Sequence, residues 1–248
     1  MDQIAFITGA DRGLGLALAA RLLGKGWIVF AGQYMPAWPD LAALQAQYPA
    51  CLHLIPLDVA SEESVQAAAK LVAEKTDRVD LLINNAGVLS AADQRGVREP
   101  RDFDDMLRVY NVNTLGPLRV VDAFFPLMES SAMKRLCFVS SEAGSINRCW
   151  RKGLYGYCMS KTALNMGVSI LFNRLRPQGY TFRLYHPGWM RSYMNGVKNP
   201  EADLEPEEAA IPAVAYFLRE RGGSPQTLSR HDDNRLVLRD YLGQEWPW

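Results

Sequence analysis

The chain has 248 residues, 27 basic against 27 acidic side chains and 48% hydrophobic residues. Zero formal net charge excludes a global pull toward nucleic acid or an anionic membrane, and a monomer of this length buries about 73% of its extended-chain surface. That is enough for one core without disulfide or metal staples.

The N-terminus, Met1 to Gly9, lacks the basic and apolar regions of a signal peptide. The best candidate for a span, Leu14 to Leu23, is broken by Arg21 and falls short of the ~20 residues a membrane span needs. Cys51, Cys137, Cys149 and Cys158 form no CxxC pair, with only His53, His186 and His231 to join them. Four reduced thiols in a cytoplasmic protein, and no metal site, are therefore expected.

Short apolar runs alternate with helical patterns along the chain. Ile4–Thr8 is the first predicted strand, followed by a helix from Gly13 to Leu23 that stops at Gly24. Trp27–Gly32 and Leu52–Leu57 follow as strands, and Ser61 N-caps a helix with Glu62 and Glu63 in its first turn. Val79–Ile83, Leu136–Ser140, Phe182–His186 and Leu236–Leu238 complete seven strands. Pro206, ahead of Glu207 and Glu208, opens a last helix that is expected to run to Gly222-Gly223. Most strand runs are too apolar to have a wet face, as in a parallel sheet covered on both sides. The expectation is an α/β, single-domain, doubly wound Rossmann-type fold over residues 1–248. It has a mostly parallel seven-stranded sheet, helices on both faces and a substrate loop at about 189–206.

The chemistry-bearing residues gather at strand ends. Thr8-Gly9-Ala10-Asp11-Arg12-Gly13-Leu14-Gly15 leaves the first strand and opens a helix, where backbone N–H groups and the helix dipole attract a pyrophosphate. Asp58-Val59 follows the third strand and Asn84-Asn85-Ala86-Gly87 the fourth. In Tyr157-Cys158-Met159-Ser160-Lys161 the Tyr and Lys stand at i and i+4 on one helix face. Taken alone, the glycine turn fits any βα connection, and the Tyr/Lys pair fits an ordinary surface pair.

As a set, from Thr8 to Ser192, these segments resemble the classical short-chain dehydrogenase/reductase family. Ser140–Ile146, His186–Trp189 and the tail Tyr241–Trp248 are similar to its C-factor-like and sniffer-like carbonyl reductases. The resemblance implies hydride transfer between a nicotinamide cofactor and a carbonyl or alcohol substrate. Tyr157 is then the general acid/base, Lys161 its tuning and ribose-binding partner, Ser141 the group that polarises the carbonyl, and Asn113 a holder of a relay water through its backbone carbonyl. Ser141 lies 16 residues before Tyr157, longer than the family's usual spacing, so extra loop is expected within Ile146–Leu154 and Ser145 remains a second candidate. Pro117, at i+4 from Asn113 and without an N–H, would free the Asn113 carbonyl in an α-helix through this point. A free Tyr has pKa ~10, and an adjacent ammonium lowers it.

The cofactor contacts implied by the resemblance are Gly9, Asp11, Arg12, Gly13, Leu14, Gly15, Gln33, Asp58, Val59, Asn85, Ala86, Gly87, Tyr157, Lys161, Pro187, Gly188, Met190 and Ser192. The second strand leads into Gln33 rather than an acid, and Arg12 stands in the glycine loop, which favours NADP over NAD. Trp150, Tyr155, Trp189, Tyr193 and Met194 suit an apolar or planar substrate, and equally suit loop packing. Arg148, Arg151 and Lys152 read as an exposed basic loop. A homodimer or homotetramer is implied by the resemblance alone. A dinucleotide-binding sensor or scaffold is the alternative function; the intact Asn113, Tyr157 and Lys161 weigh against it. The glycine spacing and short chain disfavour an extended-branch lyase or epimerase. A serine hydrolase lacks its G-x-S-x-G elbow, and Gly24-Lys25-Gly26 is no P-loop.

Overall fold

The computed structural model describes residues 2–90, 95–194, 196–220 and 232–248. In chain order it forms β1 (Ile4–Ile7), α1 (Gly13–Leu23), β2 (Ile28–Gln33), α2 (Pro39–Gln47), β3 (Leu52–Pro56), α3 (Glu62–Ala73) and β4 (Leu81–Asn84). There follow α4 (Phe103–Tyr110), α5 (Gly116–Glu129), β5 (Arg135–Val139), α6 (Tyr155–Leu175), β6 (Thr181–His186), α7 (Pro206–Phe217), β7 (Leu238–Asp240) and β8 (Glu245–Trp246). The strands make one sheet in the order β3-β2-β1-β4-β5-β6-β7-β8, with the first seven parallel and β8 antiparallel to β7.

Period-two alternation distributes each strand between two cores. In β1, Ile4 and Phe6 join the core with Phe124, Val168 and Phe182, while Ala5 and Ile7 face Leu18, Leu22 and Ala213 on the other side. This is why the β1 run has no polar position. The chain winds outward from β1 in both directions, so the connections leaving β1 and β4 part company and open a crevice at their carboxyl ends.

Four sequence expectations are corrected. The sheet has eight strands rather than seven, because the chain turns back at Gly243 (φ +80) and adds a two-residue strand too short to leave a pattern. The turn is held by Asp240, whose carboxylate accepts from the N–H groups of Leu242 and Gln244 and from Trp246 Nε1. The predicted seventh run overlaps the observed strand only at Leu238. Helix α7 ends at Phe217, where an Arg135 guanidinium takes the Phe217 carbonyl, and Gly222-Gly223 lies outside the described residues. Finally, the chain between α4 and α5 is no α-helix. Asn111–Leu115 forms a π-helical turn in which the Gly116 N–H reaches back to the Asn111 carbonyl. Gly116 has no side chain because Val59 packs against it; a Cβ there would sit 2.9 Å from Val59 Cγ2.

Candidate active site

The glycine loop is a cradle that side chains would fill. Gly9 and Gly13 both have positive φ (+63 and +57), which favours glycine. A Cβ on Gly15 would lie 2.1 Å from the Gly9 carbonyl oxygen, and one on Gly9 would lie 2.9 Å from Ala86 Cα. Helix α1 begins with Arg12 as N-cap, which makes no side-chain cap bond, and carries no acid in its first turn. Its leading N–H groups and dipole thus face the crevice, with Leu14 buried beneath them. These features fit a dinucleotide pyrophosphate.

The loop after β4 is clamped to this cradle. Thr8 Oγ1 accepts from the N–H groups of Asn85 (3.0 Å) and Ala86 (2.9 Å), and Asn85 Nδ2 donates back to the carbonyls of Thr8 (2.9 Å) and Gly9 (3.0 Å). Gly87 opens onto the catalytic candidates, with Asn113 Oδ1 at 3.4 Å and Lys161 Nζ at 3.6 Å from where its Cβ would be. Thr8 carries no motif signal beyond its place before Gly9, and its clamping role was not anticipated.

At the far end of the crevice, Gln33, Tyr34, Pro36, Pro56, Leu57 and Asp58 line a cleft of about 320 Å³. Asp58 Oδ1 caps the Ala60 N–H, and buried Val59 packs below. Asp11 is spent on the loop after β2, accepting from the backbone N–H groups of Tyr34 (3.1 Å) and Met35 (2.8 Å). Arg12 lies over the Trp38 ring at 4.5 Å and the Tyr193 ring at 5.4 Å, and donates to the Tyr193 carbonyl. It therefore ties the glycine loop to the segment after β6. In that segment Gly188 (φ +84) packs against Tyr241, the bend follows Pro187, Met190 bridges to Leu204, and Ser192 Cβ lies 4.0 Å from the would-be Cβ of Gly13.

The four catalytic candidates converge. Ser141 is buried and N-caps a 3-10 turn (Glu142–Gly144), its Oγ accepting from the Ala143 N–H at 3.1 Å. Tyr157 makes a side-chain hydrogen bond with Ser141. Lys161, one turn further along α6, places Nζ 5.8 Å from the Tyr157 ring centre and donates to the Val139 carbonyl at 3.0 Å. Ser145 is also buried, but its Oγ has no hydrogen-bond partner among the described residues and is not joined to Tyr157. The Ser141 turn is seated on α6 so closely that a Cβ on Gly144 would lie 3.0 Å from the Lys161 backbone. Ser140 Oγ donates to Asn165 Oδ1 and Asn165 Nδ2 donates to the Gly144 carbonyl, fixing that seat. Asn165 continues the Tyr157/Lys161 face at the same four-residue step, and that spacing was the signal available for it.

Asn113 works through its side chain as well as its position. Its Oδ1 accepts from the Val88 N–H at 2.8 Å, and its Nδ2 donates to the Val88 carbonyl and to Ser160 Oγ. The π-helical turn thereby locks the β4 loop to α6.

The expectation that Lys161 pulls the phenol down is corrected. Burial pushes Tyr157 up to about 12, against the hydrogen bond from Ser141, while desolvation brings Lys161 down to about 8. Both groups are driven toward their neutral forms because neither charge is solvated there.

Around this centre Trp150 and Trp189 are largely exposed, whereas Tyr193 is committed to Arg12 and Trp38. Arg151, expected to be a solvated cation, is instead paired with Glu142.

The sequence profile of the short chain dehydrogenases matches residues 3–203. The chain is 39% identical over 173 residues to C-signal of Myxococcus xanthus, covering 70% of this chain and 95% of that one. It shares 29% identity and a TM-score of 0.84 with the NADPH-bound carbonyl reductase from chicken fatty liver, over 100% of this chain and 99% of that one. A carbonyl reductase from Pseudomonas aeruginosa PAO1 is 27% identical with a TM-score of 0.79, over 99% and 100% of the respective chains.

Proposed function

The chain belongs to the short-chain dehydrogenase/reductase family, and we propose that it interconverts a carbonyl compound and its alcohol with NADP(H), using Tyr157 as the general acid/base. The observation that carries this reading is the hydrogen-bonded Ser141–Tyr157 pair with Lys161 beside it. When bound, the nicotinamide cofactor supplies or accepts the hydride. In reduction, the Tyr157 hydroxyl donates its proton to the carbonyl oxygen while Ser141 hydrogen-bonds that same oxygen and polarises it. Lys161 holds positive charge near the phenolate that forms and would hydrogen-bond the ribose of a bound cofactor. Asn113 keeps the π-helical turn and the β4 loop in register around Lys161.

The cofactor contacts proposed are those of the cradle and crevice: Gly9, Asp11, Arg12, Gly13, Leu14, Gly15, Gln33, Asp58, Val59, Asn85 to Gly87, Tyr157, Lys161, and Pro187, Gly188, Met190 and Ser192. NADP is favoured because β2 ends in Gln33 instead of an acid and because Arg12 lies at the mouth of the cradle. The NADPH in the chicken enzyme agrees with this choice. The exposed Trp189 suits an apolar or aromatic carbonyl, whereas the Trp150 ring carries the Arg151 guanidinium at 4.7 Å. Self-association through α4 and α6 is supported by exposed Leu107, Met159, Met166 and Ile170.

The test is NADPH consumption against aldehydes, ketones, diketones and quinones by wild type and Tyr157→Phe. Turnover lost in the variant with NADPH binding retained is the expected result. Turnover surviving in Tyr157→Phe refutes the assignment, and tight NADPH binding without turnover of any carbonyl favours a sensor.

A further inference from the structure

Glu142 follows Ser141 directly, and Arg151 lies six residues before Tyr157, in the segment that exceeds the family spacing. The two meet as a fork: Arg151 Nη1 donates to one carboxylate oxygen at 2.6 Å and Nη2 to the other at 2.5 Å. Their side chains are only 17% and 21% exposed, a setting in which a bidentate pair holds its geometry better than an open surface pair does.

We propose that Glu142 and Arg151 are positioning residues for the reaction, pinning the 146–154 loop to the turn that bears Ser141 and keeping the surroundings of the Ser141–Tyr157 hydroxyl pair electrically balanced. The inference rests on the reading of Tyr157 as the acid.

The loop arrives at α6 through Leu154, a non-glycine residue in the left-handed region (φ 61), a conformation that persists where its surroundings enforce it. Its outer half leans on the C-terminal strand: the Asn147 N–H donates to the Trp248 carbonyl, and Arg148 lies over the Trp246 ring. Its inner half is held by the Arg151 fork. A rigid loop at this point sets how a carbonyl approaches Tyr157.

The charges matter separately from the tether. Facing Tyr157 are the Ser141 hydroxyl and Glu142 from the 3-10 turn, Arg151 from the loop, and Cys158 and Lys161 from α6 itself. Glu142 raises the Tyr157 pKa and Arg151 lowers it. The same pair acts on the buried His186 at the end of β6, again with Glu142 raising and Arg151 lowering, and with Asp240 adding to the Glu142 side. Removing one partner therefore exposes the other's charge, so the two single variants must move neighbouring titrations in opposite directions. A fastener without an electrostatic role would move both the same way.

The experiment compares wild type, Glu142→Gln, Arg151→Gln, the double variant and Arg151→Lys. It reads the pH profile of reductive kcat, and the imidazole titration of His186 by NMR as a measurement that needs no turnover. Glu142→Gln should shift the alkaline limb and the His186 midpoint down by about half to one pH unit, and Arg151→Gln should shift both up by a similar amount. The double variant should return both near wild type. Either single variant should lose about threefold to tenfold in kcat with a smaller change in KM, and Arg151→Lys should keep the wild-type midpoints. Shifts of the same sign, or none, overturn the inference. If wild-type turnover proves independent of Tyr157, the functional reading fails, while the His186 midpoints still decide whether this pair sets the field at the site.

Discussion

Lys161 should be the most instructive single substitution, because its chemistry is held against the fold's own preference. The ammonium is 3% exposed, and desolvation brings it from 10.5 to about 8. Holding the charged form at pH 7 therefore costs the folded state about 3 kcal/mol. The hydrogen bond to the Val139 carbonyl, which a neutral replacement forfeits, is worth about 1 kcal/mol. Lys161→Met should thus stabilise the protein at pH 7 by about 2 kcal/mol, or raise Tm by about 4–8 °C, while abolishing turnover. Between pH 8 and 10.5 the unfolded chain binds more protons at this residue than the folded one, so wild-type stability rises with pH across that window. By pH 10 the residual cost is only about 1 kcal/mol, and the gap between the two proteins should close or reverse. Paired urea or thermal unfolding at pH 7 and pH 10 measures this; because the phenols are common to both proteins, their ionisation cancels in the difference. A variant less stable than wild type at pH 7, or a gap independent of pH, refutes the reasoning.

Ser141→Ala should reduce kcat at least about a hundredfold while Ser145→Ala leaves it within about threefold, since Ser141 alone of the two is bonded to Tyr157; steady-state kinetics with the reverse ranking would reassign the polarising hydroxyl. Gly15→Ala forces a Cβ to 2.1 Å from the Gly9 carbonyl and should cost about 3 kcal/mol, seen as a fall in Tm with loss of NADPH binding; an unshifted melt is the contrary result. Arg12→Ala should weaken NADPH binding by about tenfold or more and NADH binding much less, by titration fluorescence; equal losses would limit Arg12 to holding Tyr193. Met166→Glu with Ile170→Glu should reduce any self-association seen by sedimentation, and an unchanged distribution places the contact elsewhere.

The strands could be read from sequence because burial on both faces leaves runs such as Ile4–Ile7 and Leu81–Ile83 with no polar position, and the helix starts could be read because Ser61 and Pro206 advertise them. Tyr157, Lys161 and Ser141 could be placed because the whole set of motifs resembles the family; spacing alone leaves the Tyr/Lys pair an ordinary surface pair and Ser145 a second candidate. What could not be read depends on partners distant along the chain. Nothing local tells that Asp11 will bind the backbone of Tyr34, that Thr8 will receive two N–H groups from Asn85 and Ala86, or that Arg151 will fold back on Glu142. The π-helical turn escaped because one extra residue per turn leaves the apolar periodicity on either side intact. The phenol's direction of shift escaped for a different reason: an adjacent ammonium lowers it only while that ammonium stays charged, and burial acts on both groups at once.

The polar residues of this site have two duties that share one cause. Where the winding of the sheet reverses between β1 and β4, the loops diverge, and the backbone groups at those strand ends lose the neighbours that a continuous layer would provide. Buried N–H and carbonyl groups must still be paired, so side chains take over. Thr8 and Asn85 serve the cradle, Asn113 serves both polar groups of Val88, and Asp11 serves the loop after β2. A crevice able to admit a dinucleotide is therefore lined by residues whose removal also loosens its walls. Loss of activity on substituting Asn113 or Asn85 does not by itself assign chemistry to them. The Tyr157 hydroxyl is the cleaner probe, because its bond to Ser141 joins side chain to side chain, whereas the Ser141 hydroxyl also caps the Ala143 N–H and so shares the structural duty.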